Sequence, residues 1–213
     1  MPVAEPVVLG GAAGALEAVA ETPAGSAAPA FMVICHPHPL HGGTMTNKVV
    51  TTLARTAHEL CVPTLRFNFR GVGASAGSFD EGRGETEDAL TAIAWGRQRW
   101  PGASLWLAGF SFGGFVALRA SATNSAGAVA RLVTVAPALA RNFGSVRDIT
   151  VPTCPWLVVL GDADEVVDPL VTISWVEQLQ PRPQLAVLPG VGHFFHGQLA
   201  ALQQQVSPFL HGP

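Results

Sequence analysis

Ser111 lies in Gly109-Phe110-Ser111-Phe112-Gly113, where the apolar run 104–110 ("SLWLAGF") passes directly into a helical stretch, 112–123. A serine on so sharp a strand-to-helix turn sits on strained backbone. Larger neighbours would collide with the adjoining strand and helix, which accounts for glycine at 109, 113 and 114. The same turn leaves the Phe112 backbone N–H free at a helix N-terminus, aimed at the oxygen of a carbonyl under attack. A hydroxyl is a weak nucleophile at neutral pH, so it needs a base to take its proton and an acid to orient that base. Two later loops carry such groups. The stretch 161–169 ("GDADEVVDP") offers Asp162, Asp164 and Asp168, and 189–197 ("PGVGHFFHG") offers His193 and His196. Glycines at 190 and 192 let the second loop fold tightly and bring the His193 imidazole back over the turn. An imidazole can accept the serine proton and return it to a leaving group near neutral pH. His196, one helical step later, reads as an exposed or capping residue. Asp162 reads equally as a turn cap and Asp168, before Pro169, as a helix N-cap, so three acids compete. A second cluster, "HPHPLHGG" at 36–43, puts His36, His38 and His41 within six residues. It raises the alternative of a metallohydrolase, although Pro37 and Pro39 stiffen the backbone and no adjacent Asp, Glu or Cys completes a ligand set.

These residues need a scaffold, and the pattern along the chain supplies one. Short apolar runs at 31–35, 63–67, 104–110, 132–136, 156–160 and 185–188 alternate with helical stretches at 46–60, 85–99, 112–123, 170–179 and 197–209. That alternation predicts an α/β fold with a mostly parallel sheet covered on both faces. The opening 7–21 alternates weakly and contains Gly10-Gly11, a turn signal that predicts an antiparallel hairpin at the sheet edge. In open parallel sheets, functional groups collect at the carboxyl ends of strands, so the loops after 156–160 and 185–188 can reach Ser111.

With 213 residues, 48% hydrophobic and 13% charged, the chain is read as a single domain spanning 1–213. A net charge of −3 with scattered Lys and Arg gives no basic stripe for nucleic acid or membrane surfaces. Cys35, Cys61 and Cys154 lie far apart in apolar surroundings, which fits buried reduced thiols. No signal peptide and no apolar run of about 20 residues is found, so a cytoplasmic location is expected. The acidic cluster "DEGRGETED" reads as a solvated helix start, with Asp80 and Glu81 free to rim a pocket. The five tryptophans read as core filling.

Taken together, "FMVICHPHP", "NFRGVGASAG", "GFSFGG", "GDADEVVDP" and "GVGHFF" make the chain resemble an α/β-hydrolase fold serine hydrolase of the small, lidless esterase and dienelactone-hydrolase-like branch, over nearly its whole length. The resemblance implies a Ser-His-Asp triad and places its acid on Asp164, with Asp168 as rival because Val-Asp-Pro stands where relatives often show Val-Pro. It implies acyl transfer, with Ser111 as nucleophile, His193 as base and a covalent acyl-enzyme. In relatives the loop after the first parallel strand provides a second oxyanion donor. Pro37 has no N–H, so that donor falls on the backbone amide of His38, beside that of Phe112. "NFRGVGASAG" matches a turn in which relatives often carry Asp at the Asn68 position, and it reads as structural. The interval 136–155 is too short for a lid, which implies an open, shallow pocket for short acyl groups. The expected substrate is a small carboxylic ester, with thioester or peptide bonds as alternatives, no cofactor and no metal. A non-catalytic scaffold would have no need to keep serine, acid and histidine in this order. No oligomeric state is read from the sequence.

Overall fold

The computed structural model describes residues 2–25, 29–123 and 127–212. A hairpin of β1 (Val3–Gly11) and β2 (Gly14–Thr22) leads into β3 (Ala30–Cys35), α1 (Lys48–Glu59), β4 (Thr64–Phe67), α2 (Arg83–Arg99), β5 (Ser104–Phe110) and α3 (Phe112–Ser121). There follow β6 (Val129–Val135), the one-turn α4 (Leu139–Asn142), β7 (Trp156–Gly161), α5 (Pro169–Gln178), β8 (Gln184–Leu188) and α6 (Leu199–His211). The eight strands form one sheet in the order β1-β2-β4-β3-β5-β6-β7-β8. β1 and β2 pair antiparallel with each other, β2 pairs antiparallel with β4, and the remaining pairs are parallel.

β3, β4 and β7 are buried along their full length, as strands covered on both faces must be. Successive side chains divide between two cores. Phe31, Val33 and Cys35 join the core that holds residues of α2, α3 and α5, while Met32 and Ile34 join the one with α1 and α6. All five tryptophans lie in these cores or pack against them.

Two connections leave β3 and β5 in opposite directions. From β3 the chain runs to α1 on one face and on to β4; from β5 it runs to α3 on the other face and on to β6. Cys35 and Gly109 are register partners at the ends of these strands, so a crevice opens at the point where the strand order diverges.

Several sequence expectations shift. The hairpin pairs from Val3 to Thr22 and turns at Ala12-Ala13, not at Gly10-Gly11, which stay in register opposite Ala15 and Gly14. α1 begins at Lys48 because the Asn47 side chain caps it, accepting from the Val49 N–H at 2.8 Å. β6 starts three residues before the predicted run, and these first residues, only half-buried, lack its continuous apolar pattern. Cys61 is exposed, not buried. The helix start at 80–88 is solvated only in part, at Glu81, Arg83 and Glu87. Glu85 and Asp88 are fully buried. The Glu85 carboxylate accepts the N–H groups of Asp80 and Gly82, and Asp88 pairs with Arg70 at 2.8 Å. Asp80 accepts from the Gly84 N–H, and neither it nor Glu81 lines the cavity at the crevice. The interval 136–155 holds only α4 and a short 3-10 turn, Val146–Asp148.

Candidate active site

Ser111 joins β5 to α3 with φ 56° and ψ −117°, a conformation that costs a non-glycine residue about 1–3 kcal/mol. The surroundings leave no room to relax it. A Cβ at Gly109 would overlap the Gly113 carbonyl, and one at Gly113 would overlap the carbonyl oxygens of Cys35 and His36. The glycines thus let α3 start directly against both β5 and the exit of β3. Ser111 itself is held by its N–H to the Val135 carbonyl at 2.8 Å, and its own carbonyl accepts from Gly114, Phe115 and Ala138.

At the ends of β7 and β8 the two loops are stitched together. Asp162 and Ala163 donate their N–H groups to Leu188 and Val191 carbonyls, and the Asp162 carboxylate accepts from Gly190 N–H at 2.6 Å. This brings His193 over Ser111. The His193 Nδ1–H donates to Asp164 Oδ2 at 2.8 Å, and its Nε2 accepts from the Ser111 hydroxyl at 3.0 Å. The other Asp164 oxygen accepts from the N–H groups of Val166 and Val167 at 2.8 and 2.7 Å. All three side chains are buried, and the imidazole packs on Phe110 at 5.1 Å. Of the competing acids, Asp164 alone meets His193. Asp162 closes its own turn, and Asp168 caps α5 through the Leu170 and Val171 N–H groups. His196 is exposed and stacks on Phe194, and the cap of α6 falls on Gln198.

The histidine cluster separates into distinct tasks. His36 is fully buried; its Nδ1–H donates to the Pro37 carbonyl at 2.6 Å and its Nε2 accepts from the Phe69 N–H at 3.0 Å. Both ring nitrogens are committed, and burial pushes its pKa down to about 4. His38 Nδ1 accepts from Leu40 N–H at 3.2 Å, and its ring packs on Phe112 at 5.0 Å and His41 at 4.6 Å. Burial, then the neighbouring His41 and Arg141, hold its pKa below the usual histidine value. Among the described residues no three His, Cys, Asp or Glu side chains come together as a metal site. The His38 carbonyl accepts from His41 and Gly43, closing a tight loop whose His38 amide, like that of Phe112, has no protein acceptor among the described residues.

Asn68 reads from the sequence as structural, and several other residues of this region carry no signal there. Asn68 accepts from the Met45 N–H and donates to Glu17, joining β2, the segment before α1 and the exit of β4. A cavity of about 490 Å³ above Ser111 is lined also by Asn47, Ala138, Arg141, Asn142, Val166, Val167 and Phe194. Phe194 is 47% exposed at its rim. None of the lining residues is acidic.

Comparisons with known proteins agree with this architecture. Residues 26–152 match the hydrolase family described as serine aminopeptidase, S33. A lidless α/β serine hydrolase from Xanthomonas campestris is 41% identical, with a TM-score of 0.90 over 97% of this chain and 93% of that one. An α/β serine hydrolase homologue from Coxiella burnetii is 42% identical, with a TM-score of 0.89 over 97% of each chain. An uncharacterized protein of Rickettsia prowazekii is 30% identical over 185 residues, 84% of this chain and 77% of its own.

Proposed function

The chain belongs to the serine aminopeptidase S33 family of α/β serine hydrolases, and from that membership we propose that it hydrolyses small carboxylic esters through an acyl-enzyme on Ser111. The carrying observation is the unbroken line of hydrogen bonds from Ser111 through His193 to Asp164. In this reading His193 takes the hydroxyl proton as Ser111 attacks the ester carbonyl. Asp164 holds the tautomer that leaves Nε2 free to do so and favours the imidazolium that forms. The negative oxygen of the tetrahedral intermediate is met by the N–H groups of Phe112 and His38, fixed before the substrate arrives. His193 returns the proton to the leaving alcohol, then activates water for the second half-reaction.

The cavity favours an ester over the free amino terminus that an aminopeptidase must hold. An ammonium group calls for a carboxylate, and the lining offers Arg141, His38 and His41 but no acid. Among the described residues no helix is long and apolar enough to cross a membrane.

Pre-steady-state hydrolysis of 4-nitrophenyl acetate tests the mechanism. We expect a burst of one 4-nitrophenol per active site followed by a slower steady phase. Linear release from time zero, with equal rates for the wild type and Ser111→Ala, would remove the acyl-enzyme from the account.

A further inference from the structure

We propose that Arg141 sets the far limit of the acyl pocket, acting as a strap whose removal lengthens the acyl chains the site accepts. The proposal rests on the ester-hydrolase reading above and names the residue that gives it short-chain specificity. Two cavities meet at this side chain. The first, about 490 Å³, contains Ser111 and His193. The second, about 220 Å³, is lined by Ala140, Arg141, Val166, Val167, Asp168, Val171 and Thr172. Arg141, Val166 and Val167 line both.

Arg141 crosses the cleft between them. It stands in α4, and its Nη2 donates to the Val166 carbonyl at 2.7 Å. Both ends of this strap are anchored to the reacting groups. Ala138, at the start of α4, donates its N–H to the Ser111 carbonyl at 3.2 Å, and the Val166 N–H donates to Asp164. A chain leaving an ester carbonyl at Ser111 toward Ala138 and Val167 therefore runs into the guanidinium. To pass, it must break the bond to Val166 or strip water from the cation, and neither is repaid by alkyl contact. Beyond Arg141 the walls are mainly apolar, with Val166, Val167, Val171 and Ala140. Asp168 is there too, but its carboxylate is occupied in capping α5. Among the described residues Arg141 has no carboxylate partner, and it is exposed, so its replacement leaves the core intact.

The test measures kcat/KM for 4-nitrophenyl esters of two to ten acyl carbons in the wild type, Arg141→Ala and Arg141→Lys. Each methylene that gains apolar cover raises kcat/KM about fourfold. In the wild type the rise stops at a short chain. In Arg141→Ala it continues for about two more carbons, so the ratio of the eight-carbon to the four-carbon ester climbs about tenfold or more. Arg141→Lys, which keeps a long stem and a donor, retains the wild-type limit. An unchanged chain-length profile in Arg141→Ala, or an equal loss at every length, overturns the proposal. Should the wild type hydrolyse no ester while folded, the function proposed above fails, and the boundary is read instead from binding of neutral 2-alkanones by thermal shift. A gain in Arg141→Ala confined to the longer ketones supports the strap, and equal shifts in both proteins reject it.

Discussion

In the proposed mechanism, Asp164 is the residue that best separates chemistry from structure. Three aspartates lie within seven positions of one another, and each accepts hydrogen bonds, but one alone reaches His193. Asp164→Asn should lower kcat by about 10⁴, because an amide can hold the ring in the wrong tautomer. Asp168→Ala should cost about 1 kcal/mol of stability through the lost cap and leave kcat within a few-fold. Parallel kinetics and urea unfolding on the two variants read both outcomes. His36 makes the complementary case of a histidine that works through structure. Its pKa is near 4 folded and about 6.5 unfolded, so the unfolded chain binds the extra proton between these values. Stability from this group is complete above about pH 6.5 and falls by about 3 kcal/mol as the pH drops toward 4. His58, whose pKa burial also lowers, adds a slope of the same sign. His36→Gln should flatten the fall in urea-unfolding free energy between pH 6.5 and 4.5 without abolishing it.

At the scale of elements, the site depends on how closely α3 can start against β3 and β5. Gly113→Ala places a methyl group against the Cys35 and His36 carbonyl oxygens, which are backbone and cannot rotate away. We expect a loss of about 2–3 kcal/mol in unfolding free energy and a fall in kcat, since the helix start carries both Ser111 and the Phe112 N–H. The elbow could be read from sequence because its constraint is local: Gly109, Ser111 and Gly113 are fixed by a single turn. The parallel strands could be read because burial on both faces turns them into nearly continuous apolar runs. The hairpin was less legible, since β1 is largely exposed and its alternation is weak. Glu85 and Asp88 are hard to read from sequence for the opposite reason. Their partners, the Asp80 and Gly82 amides and the Arg70 guanidinium, become visible as partners when the loop after β4 folds onto α2. Arg141 and Val166 were invisible alone, because a cleft wall is made by two segments that meet only in three dimensions.

For the whole molecule, the strand order does the assembling. The loops after β3, β5, β7 and β8 bring His38, Ser111, Asp164 and His193 to the same edge of the sheet, from positions spread over more than half the chain. Nothing longer than α4 and one 3-10 turn lies between β6 and β7, so the cavity opens to solvent without a helical cover. In the proposed mechanism this end of the sheet holds one activated serine. Labelling with a fluorophosphonate probe, followed by peptide mapping, tests it most directly. The wild type should take up one label, on the peptide containing Ser111, and folded Ser111→Ala should take up none. Equal labelling of both proteins, or a label on any other residue, would contradict it.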